Sequence, residues 1–224
     1  GESWHMEMVK AADLYLSNDV FSGKYEGLKN CYYFPFDVSD KNFNRIEGNV
    51  EKIFDVTFFG SWINQGDRQE WLKEINKIYP VTVFTWNPKE WPEEFEDVRM
   101  AAYGEDFAFR VAQSKICLGF SVNPHTWGYW SNRVGKILTS GGFLLYQYAP
   151  GMELFLRDGA SYFSSPQEAI DKIRYFIGNH IERQEIADRG YEIGRTRFTS
   201  ENRIRDLMIL ADRFIKKGNS VWSI

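Results

Sequence analysis

From residue 54 onward, short apolar runs alternate with stretches whose apolar positions recur every three or four residues. Phe54 to Gly60 (F-D-V-T-F-F-G) reads as a buried strand closed by glycine. Val81 to Trp86 (V-T-V-F-T-W), Lys115 to Phe120 (K-I-C-L-G-F), Phe143 to Tyr146 (F-L-L-Y) and Gly159 to Phe163 read as four more. Between them, Trp71, Leu72, Ile75, Ile78 and Tyr79 recur at helical spacing, and Phe107 to Gln113 is a second helix. Ser131 is placed to N-cap a helix through Thr139, with Gly141-Gly142 closing it. Pro150 can start a short helix ending near Arg157. Ser165-Pro166-Gln167-Glu168 combines a cap, a proline at the first helical position and an acid in the first turn, ahead of a buried stripe of Ile170, Ile173 and Ile177. Ile181 to Arg189 continues as helix. The chain closes on a long helix whose apolar face carries Ile204, Leu207, Met208, Ala211 and Ile215.

Strands and helices alternating at this spacing imply a parallel sheet covered on both faces. Right-handed crossovers then give an α/β, Rossmann-like, doubly wound sheet. The first 50 residues follow a different rhythm. Ala12 to Leu16 and Cys31 to Phe34 are short strand candidates, and Asp37 to Asn49 is polar enough for a linker. The expected organisation is therefore an appendage over 1–50 and one α/β domain over 51–224. A chain of 224 residues holds one such domain, not two.

Composition removes several function classes. The net charge of -4 leaves no electrostatic footprint for nucleic acid. No apolar stretch reaches the roughly 20 residues of a membrane span, and no signal peptide is visible, so a cytoplasmic protein is expected. Cys31 and Cys117 read as small core residues rather than a disulfide framework. His5, His125 and His180 are scattered without metal-ligand spacing, and no D-x-D pair is present to hold a metal-bound diphosphate. Neither a G-x-S-x-G elbow nor a dinucleotide glycine fingerprint occurs. Glu182, Glu185 and Glu192 fall on polar helix faces and read as solvated.

In doubly wound sheets ligands bind at the carboxyl ends of the strands, and three turns there carry candidate chemistry. In the first, Gly60 and Ser61 are followed by Gly66 and Arg68. Glycine lets the backbone approach a phosphate, the next helix offers its amides, and Arg68 can add a bidentate contact; the alternative is a tight turn with a surface arginine. The second runs from Ser121 to Arg133 (S-V-N-P-H-T-W-G-Y-W-S-N-R). Here Ser121, Asn123 and Tyr129 precede Ser131 and Asn132 at a helix start, and Arg133 can meet a pyrophosphate. The third, Tyr146 to Gly151 (Y-Q-Y-A-P-G), brings Tyr148 and Gly151 toward a bound ligand, or is an ordinary strand-to-helix turn.

Gly128-Tyr129-Trp130-Ser131-Asn132-Arg133-Val134-Gly135-Lys136, then Gly141-Gly142-Phe143-Leu144-Leu145, resembles the signature of CgeB-like GT-B glycosyltransferases. Pro150 to Phe155 with Asp158-Gly159, the segment Ser165 to Glu168, Ile173-Arg174-Tyr175, and the tail from Glu182-Arg183 through Gly190 to Phe198-Thr199 and Arg203 extend the likeness over roughly residues 54 to 215. The resemblance implies the C-terminal half of a GT-B enzyme, binding a nucleoside diphosphate sugar without metal or further cofactor and transferring the sugar to an acceptor. The alternative it leaves open is a non-catalytic nucleotide-sugar-binding module. The donor-binding residues it implies are those of the three turns, together with Lys136. The register places Lys136 where the family often carries an acid against the donor ribose, a departure that leaves ribose recognition by this helix open and lets Lys136 neutralise phosphate instead. Residues 1–50 resemble the end of a preceding domain plus a linker, and no catalytic base is identified.

Overall fold

The structure, a computed structural model, describes residues 2–35, 38, 41–64 and 67–216. Gly66 and the expected linker start at Asp37 lie outside them. A short helix, α1 (Glu2–Ala11), leads into two strands, β1 (Tyr15–Ser17) and β2 (Cys31–Tyr33), which pair in parallel. The main sheet follows: β3 (Phe54–Phe59), β4 (Val81–Thr85), β5 (Val98–Met100), β6 (Ser114–Gly119), β7 (Leu144–Gln147) and β8 (Ser161–Phe163). Its spatial order is β5-β4-β3-β6-β7-β8, parallel at every pairing. This is the doubly wound order in which the chain reverses direction between its first and fourth strands, here β3 and β6.

Alternation within the strands decides which layer each side chain joins. In β3, Val56 and Phe58 face one core layer with Ile116 and Leu118 of β6, under α2 (Arg68–Ile78) and α6 (Pro166–Gly178). Phe59 faces the other with Cys117, under α3 (Gly104–Ala112) and α4 (Asn132–Thr139), and Phe54, at the start of the strand, packs into this layer out of step with the alternation. Leu72 and Ile75 of α2, and Ile170 and Ile173 of α6, are buried where the sequence spacing put them. Both cysteines are buried and free. Burying Phe54, Phe58 and Phe59 supplies about 1.5–3 kcal/mol each.

Three features depart from the sequence reading. The helix α1 was not expected, because E-S-W-H-M-E-M-V-K-A has a weak apolar stripe; Val9 is deeply buried, against Tyr25 and Cys31. Strand β5 was not expected either: three residues at the sheet edge become a strand only through pairing of Val98 with Val83. The closing helix α8 (Ser200–Lys216) forms as expected, yet buries none of its residues, and Ile204, Met208 and Ile215 are more than half exposed. A short α5 (Met152–Leu156) and a long α7 (His180–Ile193) complete the chain before the π-helical turn at Gly194–Phe198.

Candidate functional site

Both strands at the reversal end in glycine or just before it: β3 runs into Gly60, and β6 ends on Gly119. A Cβ on Gly60 would lie 2.9 Å from the Phe58 ring and 3.1 Å from Arg133 Nη1. A Cβ on Gly119 would run into the Tyr146 ring. The missing side chains leave the carboxyl ends of the two central strands open, and Arg133 and Tyr146 fill the space.

Arg133 is the second residue of α4. Ser131 caps that helix, its Oγ accepting from the Arg133 amide at 3.2 Å. The start of α4 therefore faces the reversal point with its partial positive charge. Arg68 opens α2, the helix that follows β3. It is 1% exposed, its guanidinium lies 4.8 Å over the Phe58 ring, and Nη2 donates to the Ser61 carbonyl. Nε and Nη1 of Arg68 are buried with no hydrogen-bond partner. Burial, and then repulsion from Arg133, pushes its pKa down to about 9, with Tyr146 opposing the shift. Burial likewise lowers the pKa of Arg133, with Tyr146 and Tyr129 opposing the shift. Two arginines thus share a corner with a helix N-terminus and no described carboxylate. A buried guanidinium left short of acceptors costs stability, and an anion would supply them.

Beside this corner opens a cleft of about 240 Å³. Its wall is aromatic: Phe59 and Phe84 stack at 5.1 Å, and Phe59 and Phe107 lie 4.6 Å apart. Trp86 and Tyr103, with centroids 4.6 Å apart, stand exposed at its rim. Gly60, Ser61, Asn132, Arg133 and Lys136 line the polar side, and among the described residues no aspartate or glutamate does. Burial, and then Arg133, lowers the pKa of Lys136, whose Nζ lies 4.8 Å over the Phe43 ring. The Thr85 hydroxyl, at the end of β4, is buried without a partner.

Of the twelve residues singled out in the sequence, five line the cleft together: Gly60, Ser61, Asn132, Arg133 and Lys136. Arg68 stands behind Ser61 instead of in the cleft, and is neither a surface arginine nor an ion-paired one. Ser121 is buried past the end of β6, with its Oγ accepting from the Asn123 amide at 3.2 Å. Tyr129 is half-buried, and Ser131 acts as the cap. Tyr148 is exposed beyond β7, outside the cleft. Gly151 has φ of +86°, and Trp127 covers the place its Cβ would take, 2.8 Å away; only glycine fits this turn comfortably. The sequence reading missed Phe43, Thr85, Trp86 and Tyr103. Trp86 was legible as the residue leaving a strand's carboxyl end, whereas Phe43 and Tyr103 arrive from segments distant in sequence. Among the described residues no three His, Cys, Asp or Glu side chains gather to hold a metal ion.

A cationic corner with no described carboxylate, beside an aromatic cleft at the reversal of a parallel sheet, suits a nucleotide phosphate chain, and residues 65–209 match the profile of a glycosyl transferase-like family. The chain belongs to that family. No curated protein matches it in sequence. Among solved structures, the GT-B fold matches a sucrose-phosphate synthase from Thermosynechococcus elongatus, at TM-score 0.69 and 9% identity, over 96% of this chain and 62% of that one. The Anabaena protein HepE, solved in complex with UDP and glucose, matches at TM-score 0.71 and 12% identity, over 94% of this chain and 66% of that one. The C-terminal domain of a glycosyl transferase group 1 family protein from Francisella tularensis matches at TM-score 0.52 and 14% identity, over 73% of this chain and 99% of that one. The chain thus spans somewhat under two thirds of the first two structures it matches. No described helix is long and apolar enough to cross a membrane.

Proposed function

We propose that this glycosyl transferase-like chain is the donor-binding half of a metal-independent, CgeB-like GT-B glycosyltransferase. It holds a nucleoside diphosphate sugar at the reversal between β3 and β6. The observation that carries this reading is the pairing of Arg68 with Arg133 beside the start of α4, with no described carboxylate to neutralise them. The nucleoside lies in the aromatic cleft against Phe59, Phe84, Trp86 and Tyr103. The diphosphate lies over Gly60 and the α4 amides, between Arg133 and Lys136. The HepE complex with UDP and glucose supports the ligand class, on a fold of the same kind. In transfer, negative charge grows on the departing diphosphate, and preorganised amides and guanidinium groups stabilise it without reorganising. Catalysis then rests on the acceptor side for its base. We assign the protein to the cytoplasm.

Calorimetry with UDP, GDP and NAD, with and without chelator, tests the proposal. Binding of a nucleoside diphosphate more tightly than NAD, unchanged by chelator, is expected. Tight NAD binding or strict metal dependence would overturn it. Donor turnover against an acceptor panel separates a transferase from a module that binds without chemistry.

A further inference from the structure

The turn that follows β1 is bonded to the loop that precedes α4. Asn18, 8% exposed, donates from Nδ2 to the Trp130 carbonyl at 3.1 Å. The Tyr33 hydroxyl, at the end of β2, donates to the Gly128 carbonyl at 2.7 Å. The Phe21 and Trp127 rings meet edge to face with centroids 4.9 Å apart, and both remain open to solvent. The carboxyl ends of β1 and β2 are thereby held on residues 127–130, directly ahead of the Ser131 cap and Arg133.

Asp19 lies in that turn, between Asn18 and Phe21. Its Oδ1 accepts from the Ser17 hydroxyl, and its Oδ2 pairs with Lys24 Nζ at 3.5 Å. Burial raises the pKa of Tyr129, Asp19 adds to the rise and Arg133 opposes it, so this phenol stands in the field of both charges. Tyr129 therefore spans the space from the carboxylate to the guanidinium. The donor cleft is lined by no described carboxylate of its own, and Asp19 brings one to the other side of the same loop.

We infer that Asp19 is the general base of the transfer, and that the transfer inverts the anomeric centre. This rests on the donor reading above and supplies the base that it leaves to the acceptor side. A lone pair of the acceptor hydroxyl oxygen forms the new bond to the anomeric carbon. The bond from that carbon to the diphosphate oxygen breaks, and its electron pair leaves with the diphosphate. Asp19 takes the hydroxyl proton as the oxygen attacks. A single displacement of this kind needs one base and no nucleophile on the protein. With Arg133 at the departing diphosphate and Asp19 at the attacking hydroxyl, the sugar lies between them, along Tyr129.

The test uses the chain as it stands, with water as acceptor and UDP-glucose, UDP-galactose, GDP-mannose and GDP-fucose as donors. Release of nucleoside diphosphate is followed over hours. Asp19→Asn keeps the size of the side chain and an oxygen for Ser17. It is expected to lower turnover on the order of a hundredfold to ten-thousandfold, the usual worth of a general base. Affinity for UDP or GDP and the melting temperature should not change, and Asp19→Ser should behave alike. Azide attacks without giving up a proton, so it is expected to restore transfer in both variants and to yield a glycosyl azide of inverted configuration.

An Asp19→Asn chain that keeps more than about a tenth of the native turnover would overturn the inference. So would failure of azide to restore transfer, or a glycosyl azide of retained configuration. Variants that lose diphosphate affinity or melt well below the native chain would make Asp19 a structural residue, with the same consequence. A native chain that binds UDP or GDP but turns over none of the four donors would also overturn it, and would leave the donor reading standing. A chain that binds neither nucleotide would sink both.

Discussion

Arg133 occupies the room that position 60 leaves by being glycine: its Nη1 lies 3.1 Å from where a Gly60 Cβ would stand. Gly60 follows the last residue of β3, and Arg133 lies in the first turn of the helix after β6. Two segments more than 70 residues apart are thereby fitted to each other at the reversal of the sheet. Gly60→Ala is therefore expected to displace the Arg133 guanidinium and press on the Phe58 ring. Overpacking of this kind costs about 1–3 kcal/mol. Affinity for a nucleoside diphosphate is expected to fall about tenfold in protein that remains folded. Thermal melting beside calorimetry checks both parts. Unaltered affinity would mean that Arg133 gives way without leaving its ligand.

Arg133→Ala is expected to weaken nucleoside diphosphate binding by roughly tenfold to a hundredfold, the loss of charge-assisted bonds worth about 1.5–3 kcal/mol. Nucleoside binding should change little. If Arg133 instead holds the start of α4 in place, the melting temperature falls and both ligands are lost together. Paired affinities of UDP and uridine in the variant, with a melting curve, distinguish the outcomes.

Arg68 carries a buried charge with two nitrogens unpartnered and Arg133 repelling it. Arg68→Met removes that burden while keeping an apolar stem on Phe58. The empty variant is expected to melt at a higher temperature than the native chain, because an apolar replacement of a poorly compensated buried charge is often neutral or stabilising by about 1–4 kcal/mol. Pyrophosphate at a hundred times its Kd is expected to stabilise the native chain by about 2.7 kcal/mol. The same concentration should stabilise the variant much less. Melting curves with and without pyrophosphate, in low-salt buffer, give the comparison. A variant that melts lower in the empty state would show that the Ser61 carbonyl contact outweighs the cost of the charge.

Trp86 and Tyr103 stand at the cleft rim, 68% and 51% exposed. Replacing either with alanine is expected to leave the melting temperature nearly unchanged, since exposed positions generally lie within about 0.5 kcal/mol of neutral. If they flank the base, each substitution costs about 1–3 kcal/mol of nucleoside affinity, the worth of stacking a base on an aromatic ring. Calorimetry with uridine and guanosine reads this directly. Full nucleoside affinity in both variants would place the base elsewhere.

The alternation of apolar runs and helical stripes was enough to name five of the six main strands and the helices between them, because buried parallel strands and amphipathic helices write their periods into the chain. Ser131 and Ser165 were readable as caps from local chemistry, and each accepts a backbone hydrogen bond within the first turn of its helix. Strand β5 was not readable: V-R-M is too short to show a period, and only Val98 meeting Val83 across the edge makes it a strand. The exposure of α8 was equally hidden, since an apolar stripe says which face seeks a partner and not whether the fold supplies one. Sequence marked Gly60, Arg68 and Arg133 as phosphate chemistry, for glycine beside a strand end and arginine at a helix start are local features. The tertiary structure decided that Arg68 is sealed inside with no acid beside it among the described residues, that Gly60 makes room for Arg133, and that Phe43, Trp86 and Tyr103 close a cleft around Lys136. Those are relations between segments far apart in the chain, set by strand order and packing, and no local pattern of residue types contains them.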